Sequence, residues 1–123
     1  MNFIDTHTHL FLKQFKDDID DVIDIAIRSG ITKMFLPNIN SETTDSMIQL
    51  CEKYPENCFA MMGLHPCDVK KETMEKELLH VEEMLEKEKF ISVGEIGLDL
   101  YWDKTTLEIQ KMAFEFQIEL AKK

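Results

Sequence analysis

Short apolar runs alternate with stretches of helical periodicity four times along the 123 residues, and that alternation restricts the fold more than any other feature. Phe3 to His7 is an apolar run with a polar end, and Ile31 to Leu36 is a second, preceded by Gly30 and closed by Pro37. Cys58 to Gly63 and Phe90 to Gly94 are nearly continuous in apolar residues, which suits strands buried on both faces. Between them, Ile19, Val22, Ile23, Ala26 and Ile27 form one helical stripe, and Met47, Ile48, Leu50 and Cys51 a less regular second. Leu78, Val81 and Leu85 make a third, with Glu82, Glu83, Glu86 and Lys87 on its wet face. The fourth opens with a capping box, Thr105 to Glu108, and carries Phe114, Ile118 and Ala121.

Four β-α units of roughly 30 residues each predict a parallel sheet with right-handed crossovers. Two architectures answer that description, an open doubly wound sheet and a closed (β/α)8 barrel. A complete barrel takes roughly 250 residues, so the barrel answer makes this chain a (βα)4 half. No linker, low-complexity segment or break in composition divides it, and a single domain over residues 1–123 is expected.

A composition that is 44% hydrophobic and 31% charged belongs to an ordinary globular chain and argues against disorder. No stretch approaches the roughly 18 consecutive apolar residues of a membrane span, and Met1 to Asp5 lacks the basic start and apolar core of a signal peptide. The expected setting is therefore cytoplasmic, without membrane contact. The three cysteines form no C-x-x-C pair and read as reduced, with Cys51 and Cys58 as small core residues and Cys67 without a role. A net charge of −10 excludes a broad basic surface for nucleic acid. A phosphate-bearing substrate would need another source of positive charge, which a bound metal supplies locally.

His7 and His9, two residues apart at the end of the first strand, point the same way and suit chelation of one ion. The motif taken alone better describes two satisfied polar residues at a strand end. Its position shifts the balance, because His65 and Glu95 fall at the corresponding ends of the third and fourth strands. In a parallel barrel all those ends meet at one face, where active sites are built. A carboxylate at the mouth of an otherwise apolar cavity is costly unless paired or bound to metal. His65 has two open readings, a site residue or the start of a turn with Pro66. His80 lies within the third helix among acidic residues and reads as structural.

At these residues the sequence resembles the TatD family of metal-dependent deoxyribonucleases, a branch of the amidohydrolase-like barrels. The resemblance rests on Phe3-Ile4-Asp5-Thr6-His7-Thr8-His9-Leu10, on Gly63-Leu64-His65-Pro66, and above all on Gly94-Glu95-Ile96-Gly97-Leu98-Asp99. Gln110, Phe114, Gln117, Leu120 and Ala121 in the next helix extend it. It implies a (β/α)8 TIM barrel with a site for divalent metal, usually two ions, as zinc, magnesium or manganese. His7 and His9 match ligands of one ion, Glu95 matches the residue that bridges both and so takes part in catalysis, and His65 matches a substrate-contacting histidine. Thr8 stands where the family commonly has Cys, and Phe11 where it has Asp; neither is a ligand position. Family members continue for four more units that supply two further histidines and an aspartate.

For a complete enzyme the resemblance implies hydrolysis of DNA phosphodiesters by a metal-activated water, and the acidic surface suggests short or single-stranded oligonucleotide ends as substrate. The general acid or base would be the aspartate of the absent half. Asp99 and Tyr101 either line a substrate groove, or Asp99 anchors its loop while Tyr101 and Trp102 cover the barrel rim. Two other readings stay open: a related hydrolase of small-molecule amides or lactones, and a non-catalytic half-domain. Four strands cut from a barrel leave two bare edges and an exposed apolar inner face, which predicts self-association or pairing with a missing carboxyl-terminal half.

Overall fold

The computed structural model describes residues 2–123. Its elements run β1 (Phe3–Asp5), α1 (Ile19–Arg28), β2 (Ile31–Pro37), α2 (Thr44–Lys53), β3 (Cys58–Met62), α3 (Met74–Lys87), β4 (Ser92–Val93) and α4 (Leu107–Ala121). Short 3-10 turns at Lys13–Phe15 and Pro66–Asp68 follow β1 and β3.

All three strand pairings are parallel, and the strands lie in the order β1-β2-β3-β4. A doubly wound sheet reverses its strand order at a switch point, whereas a barrel wall adds each strand beside the last. The unreversed order therefore identifies the sheet as a (βα)4 half of a TIM barrel.

Burial agrees with a wall. On one face Met34 and Leu36 of β2 and Cys58, Ala60 and Met62 of β3 are buried, and they join Ile23, Met47, Leu50, Leu78, Val81 and Ala113 from the four helices in one core. Phe35, Phe59 and Met61 on the alternate face are half-buried, with the two phenylalanine rings edge to face at 5.9 Å. The continuous apolar runs suit burial on both faces, and that part is corrected: among the described residues no helix covers the second face, which keeps the partial contact with solvent expected of a barrel cut to four strands. Ile4, which pairs with Lys33 on that same face, is 53% exposed.

The local signals act as their chemistry requires. Asp20 and Asp21 in the first turn of α1 and Arg28 in the last complement the helix dipole. Gly30 follows the helix with φ 93°, a conformation that favours glycine, and its carbonyl accepts the Phe3 N–H at 2.8 Å, coupling the α1 exit to the start of β1.

Regular pairing is shorter than the apolar runs. β1 ends at Asp5, yet the Thr8 N–H still donates to the Phe35 carbonyl at 3.0 Å, which carries the segment on along β2. β4 holds two residues, flanked by Ile91 N–H to Ala60 O and Gly94 N–H to Met62 O at 3.0 and 2.9 Å.

Helix α4 departs most from expectation. The Thr105–Glu108 capping box does not form: the helix starts at Leu107, and the Thr105 hydroxyl instead donates to Asp103 at 2.6 Å. Its buried side is Gln110, Ala113 and Gln117, while Phe114 and Ile118 are half-buried and Ala121 is exposed. Two carboxamides take the inner positions because backbone groups of neighbouring loops satisfy them there.

Candidate metal centre

The loops that leave the carboxyl ends of the strands are laced together by backbone hydrogen bonds. Asn38 N–H, just past β2, donates to Met61 O at 3.0 Å and Gly94 O at 3.1 Å, and Asn38 O accepts from Glu95 N–H at 3.2 Å. His65 N–H donates to Ile39 O at 2.8 Å. Glu95 and His65 are thereby both fixed to the residues that follow β2.

Gly63 makes this convergence sterically feasible. A Cβ there would stand 2.7 Å from the Gly94 carbonyl carbon, so the chain leaving β3 passes against β4 with no room for a side chain.

The side chains then meet. His7 Nε2 lies 2.9 Å from Glu95 Oε2 and 3.2 Å from His9 Nε2, and His9 Nε2 lies 3.2 Å from the same carboxylate oxygen. His65 Nε2 stands 3.2 Å from the other oxygen, Oε1. The four residues singled out from the sequence thus gather at one end of the sheet.

Hydrogen-bond chemistry decides what such a triangle can hold. His9 Nδ1 donates to the Pro37 carbonyl at 2.9 Å, so in the neutral ring Nε2 carries a lone pair. Burial holds the His9 pKa below its ordinary value and favours that neutral ring, although Glu95 opposes part of the effect. A lone pair then faces a carboxylate oxygen at 3.2 Å, an arrangement that a shared cation satisfies. Two ligands each about 2.0–2.1 Å from a tetrahedral ion stand about 3.3 Å apart, close to the edges of this triangle. His7, His9 and Glu95 fit one divalent cation, and the second carboxylate oxygen of Glu95 is directed toward His65.

The other candidates sort plainly. His80 Nε2 pairs with Thr44 Oγ1 at 2.9 Å, a structural contact on α3. Asp99 anchors its loop, its Oδ1 accepting the Tyr101 N–H at 2.8 Å. Tyr101 and Trp102 stack edge to face but are 81% and 79% exposed, so they cover nothing in this half. Cys58 is buried and Cys51 packs against the core, while Cys67 is exposed and its backbone N–H donates to His65 Nδ1 at 3.0 Å.

Sequence reasoning missed Asn38 and named Gln110 and Gln117 only as part of the resemblance, without a role; all three are buried polar side chains behind the site. Asn38 Nδ2 reaches Asn40 O and Thr44 Oγ1, and Thr43 donates to its Oδ1, so its side chain braces the loop after β2. Gln110 bonds both backbone groups of Asp99, and Gln117 both of Leu64. Besides that resemblance, a signal lay in the spacing of Gln110 and Gln117, seven residues apart and hence on one side of a helix.

The model of the TatD-related DNases matches residues 4–123. The chain belongs to that family. It is 35% identical over 118 residues to the metal-dependent hydrolase YabD of Bacillus subtilis, covering 96% of this chain and 46% of that protein. The 3'-5' ssDNA/RNA exonuclease TatD of Edwardsiella piscicida is 30% identical over 118 residues, covering 96% of this chain and 45% of its own. The crystal structure of YjjV, a TatD homologue from Escherichia coli K12, superposes with a TM-score of 0.88 at 34% identity and covers 98% of this chain and 46% of that one. This TatD-family chain therefore spans a little under half the length of the relatives it matches.

Proposed function

We propose that this chain carries the amino-terminal part of a divalent-metal centre that hydrolyses phosphodiester bonds at oligonucleotide ends. The observation that carries the reading is the contact of Glu95 Oε2 with two imidazole nitrogens, 88 residues away along the chain in the case of His7. The name of the Edwardsiella relative, an exonuclease of single-stranded DNA and RNA, supports the substrate class.

In this reading His7, His9 and Glu95 would hold the metal, and the other carboxylate oxygen of Glu95 lies 3.2 Å from His65 Nε2. Zinc, manganese and magnesium all suit an imidazole and carboxylate set to differing degrees. A divalent metal bound there would supply Lewis acidity, lowering the pKa of water toward neutrality and offsetting negative charge on phosphate oxygens. His65 orients a phosphate oxygen: its Nδ1 accepts from Cys67 N–H, so the neutral ring carries its proton on Nε2, facing the site. A net charge of −10 leaves the metal centre as the principal attraction for phosphate and so favours short or single-stranded ends over long duplex.

Residues 1–123 form one domain in this proposal, completed by a second half that covers the β1 and β4 edges and the half-buried face of Phe35, Phe59 and Met61. That half is a carboxyl-terminal segment or a second copy of the chain. Among the described residues no helix is long and apolar enough to cross a membrane. A cytoplasmic setting, where thiols stay reduced, belongs to the same proposal.

Elemental analysis and hydrolysis of an end-labelled single-stranded oligonucleotide, with manganese or magnesium added, test the reading together. Stoichiometric metal and activity in the wild type, both lost in His9→Ala and both retained in His80→Ala, are expected. A protein that binds no metal, or that cleaves equally well after His9→Ala, sinks it.

A further inference from the structure

We propose that Gln117 is a positioning residue for His65, holding that imidazole in register with Glu95 through the backbone of Leu64. The inference rests on the reading of His65 as a substrate-contacting group.

Gln117 lies on α4 and is 1% exposed. Its Oε1 accepts the Leu64 N–H at 2.7 Å, and its Nε2 donates to Leu64 O at 3.3 Å and Ala113 O at 3.2 Å. A single carboxamide thus grips both polar groups of the residue immediately before His65. Burying such a group among apolar neighbours is costly unless every partner is in place, so the grip has one geometry.

From Leu64 the constraint passes to the site. His65 N–H is held by Ile39 O at 2.8 Å, and its ring is held at Nδ1 by Cys67 N–H at 3.0 Å. Both bonds require the segment after β3 to sit at one height along the barrel axis, and Gln117 is the side chain that sets that height. His65 Nε2 is then left 3.2 Å from Glu95 Oε1. Gln110, two turns earlier on the same side of α4, grips Asp99 in the same way, its Oε1 accepting from Asp99 N at 2.8 Å and its Nε2 donating to Asp99 O at 2.9 Å. The helix therefore steadies the loops on both sides of the cluster, and Gln117 acts on the one that carries a site residue.

An architectural role alone would ask only that α4 adhere to the sheet, which a methionine of similar length would also achieve. The two roles separate in the tautomer of His65, read from long-range proton–nitrogen spectra of metal-free protein labelled with 15N-histidine. The wild type is expected to show a single Nε2–H tautomer with two well-separated ring nitrogens. In Gln117→Met those resonances move toward each other as the Cys67 contact is lost, and the Leu64 amide exchanges about 10- to 100-fold faster, as loss of one buried hydrogen bond implies. Met47→Ala, a core truncation on α2 outside this chain of bonds, lowers the melting temperature but leaves the His65 tautomer unchanged. Gln117→Glu, which keeps the acceptor for Leu64 N–H and loses the donor, gives an intermediate spectrum.

A wild-type His65 spectrum in Gln117→Met overturns the proposal, as does failure of both Gln117 variants to fold, which would mark the residue as architectural. Oligonucleotide hydrolysis is followed in parallel. Loss of the tautomer signature in Gln117→Met, together with a wild type that cleaves nothing, would leave positioning supported and the substrate reading refuted.

Discussion

Placing a methyl group on Gly63 perturbs the point where β3 and β4 converge beneath the site. The new Cβ of Gly63→Ala would stand 2.7 Å from Gly94 C, 2.9 Å from Gly94 O and 3.0 Å from Glu95 O, all backbone atoms. Carbon contacts are comfortable at about 3.5–4.0 Å, so the two segments must separate by roughly 0.5–1 Å. Overpacking that moves backbone costs about 1–3 kcal/mol. At about 4 °C per kcal/mol for a chain of this size, the melting temperature should fall by about 4–12 °C. Because the displaced atoms include the Glu95 carbonyl, the carboxylate moves away from His7 and His9, and metal affinity should drop about 10–100-fold, the usual effect of disturbing groups that orient ligands. Gly94→Ala is the control: its Cβ would meet only Met61 Cε, at 2.6 Å, the end of a flexible side chain that can rotate away. Thermal denaturation and competitive metal titration of both variants decide the matter. A Gly63→Ala protein with wild-type melting temperature and affinity, or equal losses in the two variants, would refute the reasoning.

Burial pushes the thiol of Cys51 up to about 12 and that of Cys58 up to about 11, so iodoacetamide at pH 8 should leave both unmodified in the folded protein. Cys67 is exposed but also raised to about 11, first by desolvation and then by Asp99, so mass spectrometry should show it labelled slowly, and faster in Asp99→Asn; rapid labelling of Cys58 would contradict the burial argument. Tyr54 donates its hydroxyl to Asp20, which lifts its pKa to about 12. The folded state holds that proton more tightly than an unfolded phenol of pKa about 10, so the contribution is complete below pH 10 and is lost as the pH rises toward 12. Alkaline denaturation should therefore be less steep over that window in Tyr54→Phe, and identical curves would remove the role assigned to the Asp20 contact.

The strands were legible because a parallel strand announces itself as a short apolar run and a crossover helix as a stripe, whereas their order stayed open between two architectures until the resemblance pointed to the barrel. His7, His9 and Glu95 were legible for a related reason: polar side chains at the ends of apolar strands need a common purpose. Helix α4 misled. Its apolar spacing pointed to Phe114, Ile118 and Ala121, but its inner side is set by partners outside the helix, one of them 53 residues away in sequence. A glutamine reads as a surface residue until the orphan backbone groups it satisfies are known, and those depend on tertiary structure. The capping box failed likewise, because Asp103 offers Thr105 a closer acceptor and Thr106 receives the Gln110 amide at 3.0 Å. The half-buried face followed from the count of four units and not from the runs themselves, because an apolar run does not say whether one of its faces or both will be covered.

One relation ties the site to the shape of the sheet. β1 and β4 are its two edges, separated by three strand spacings, which in a flat sheet amount to roughly 14 Å. His7 and His9 follow β1 and Glu95 follows β4, yet their terminal atoms meet at 2.9 to 3.2 Å. Contact at that range requires a sheet curled so that both edges turn their side chains into one hollow. The bond from Asn38 N–H to Gly94 O shows where the curl is tightest, since it joins the exits of β2 and β4 past the intervening strand. Curvature and donor geometry are therefore one property of this half, and a flattening of the sheet would disperse the cluster before any ligand was removed. In the proposed assembly, a complementary half that closes the wall would meet three donors already in place and would have only to preserve the curl and supply any remaining ligands.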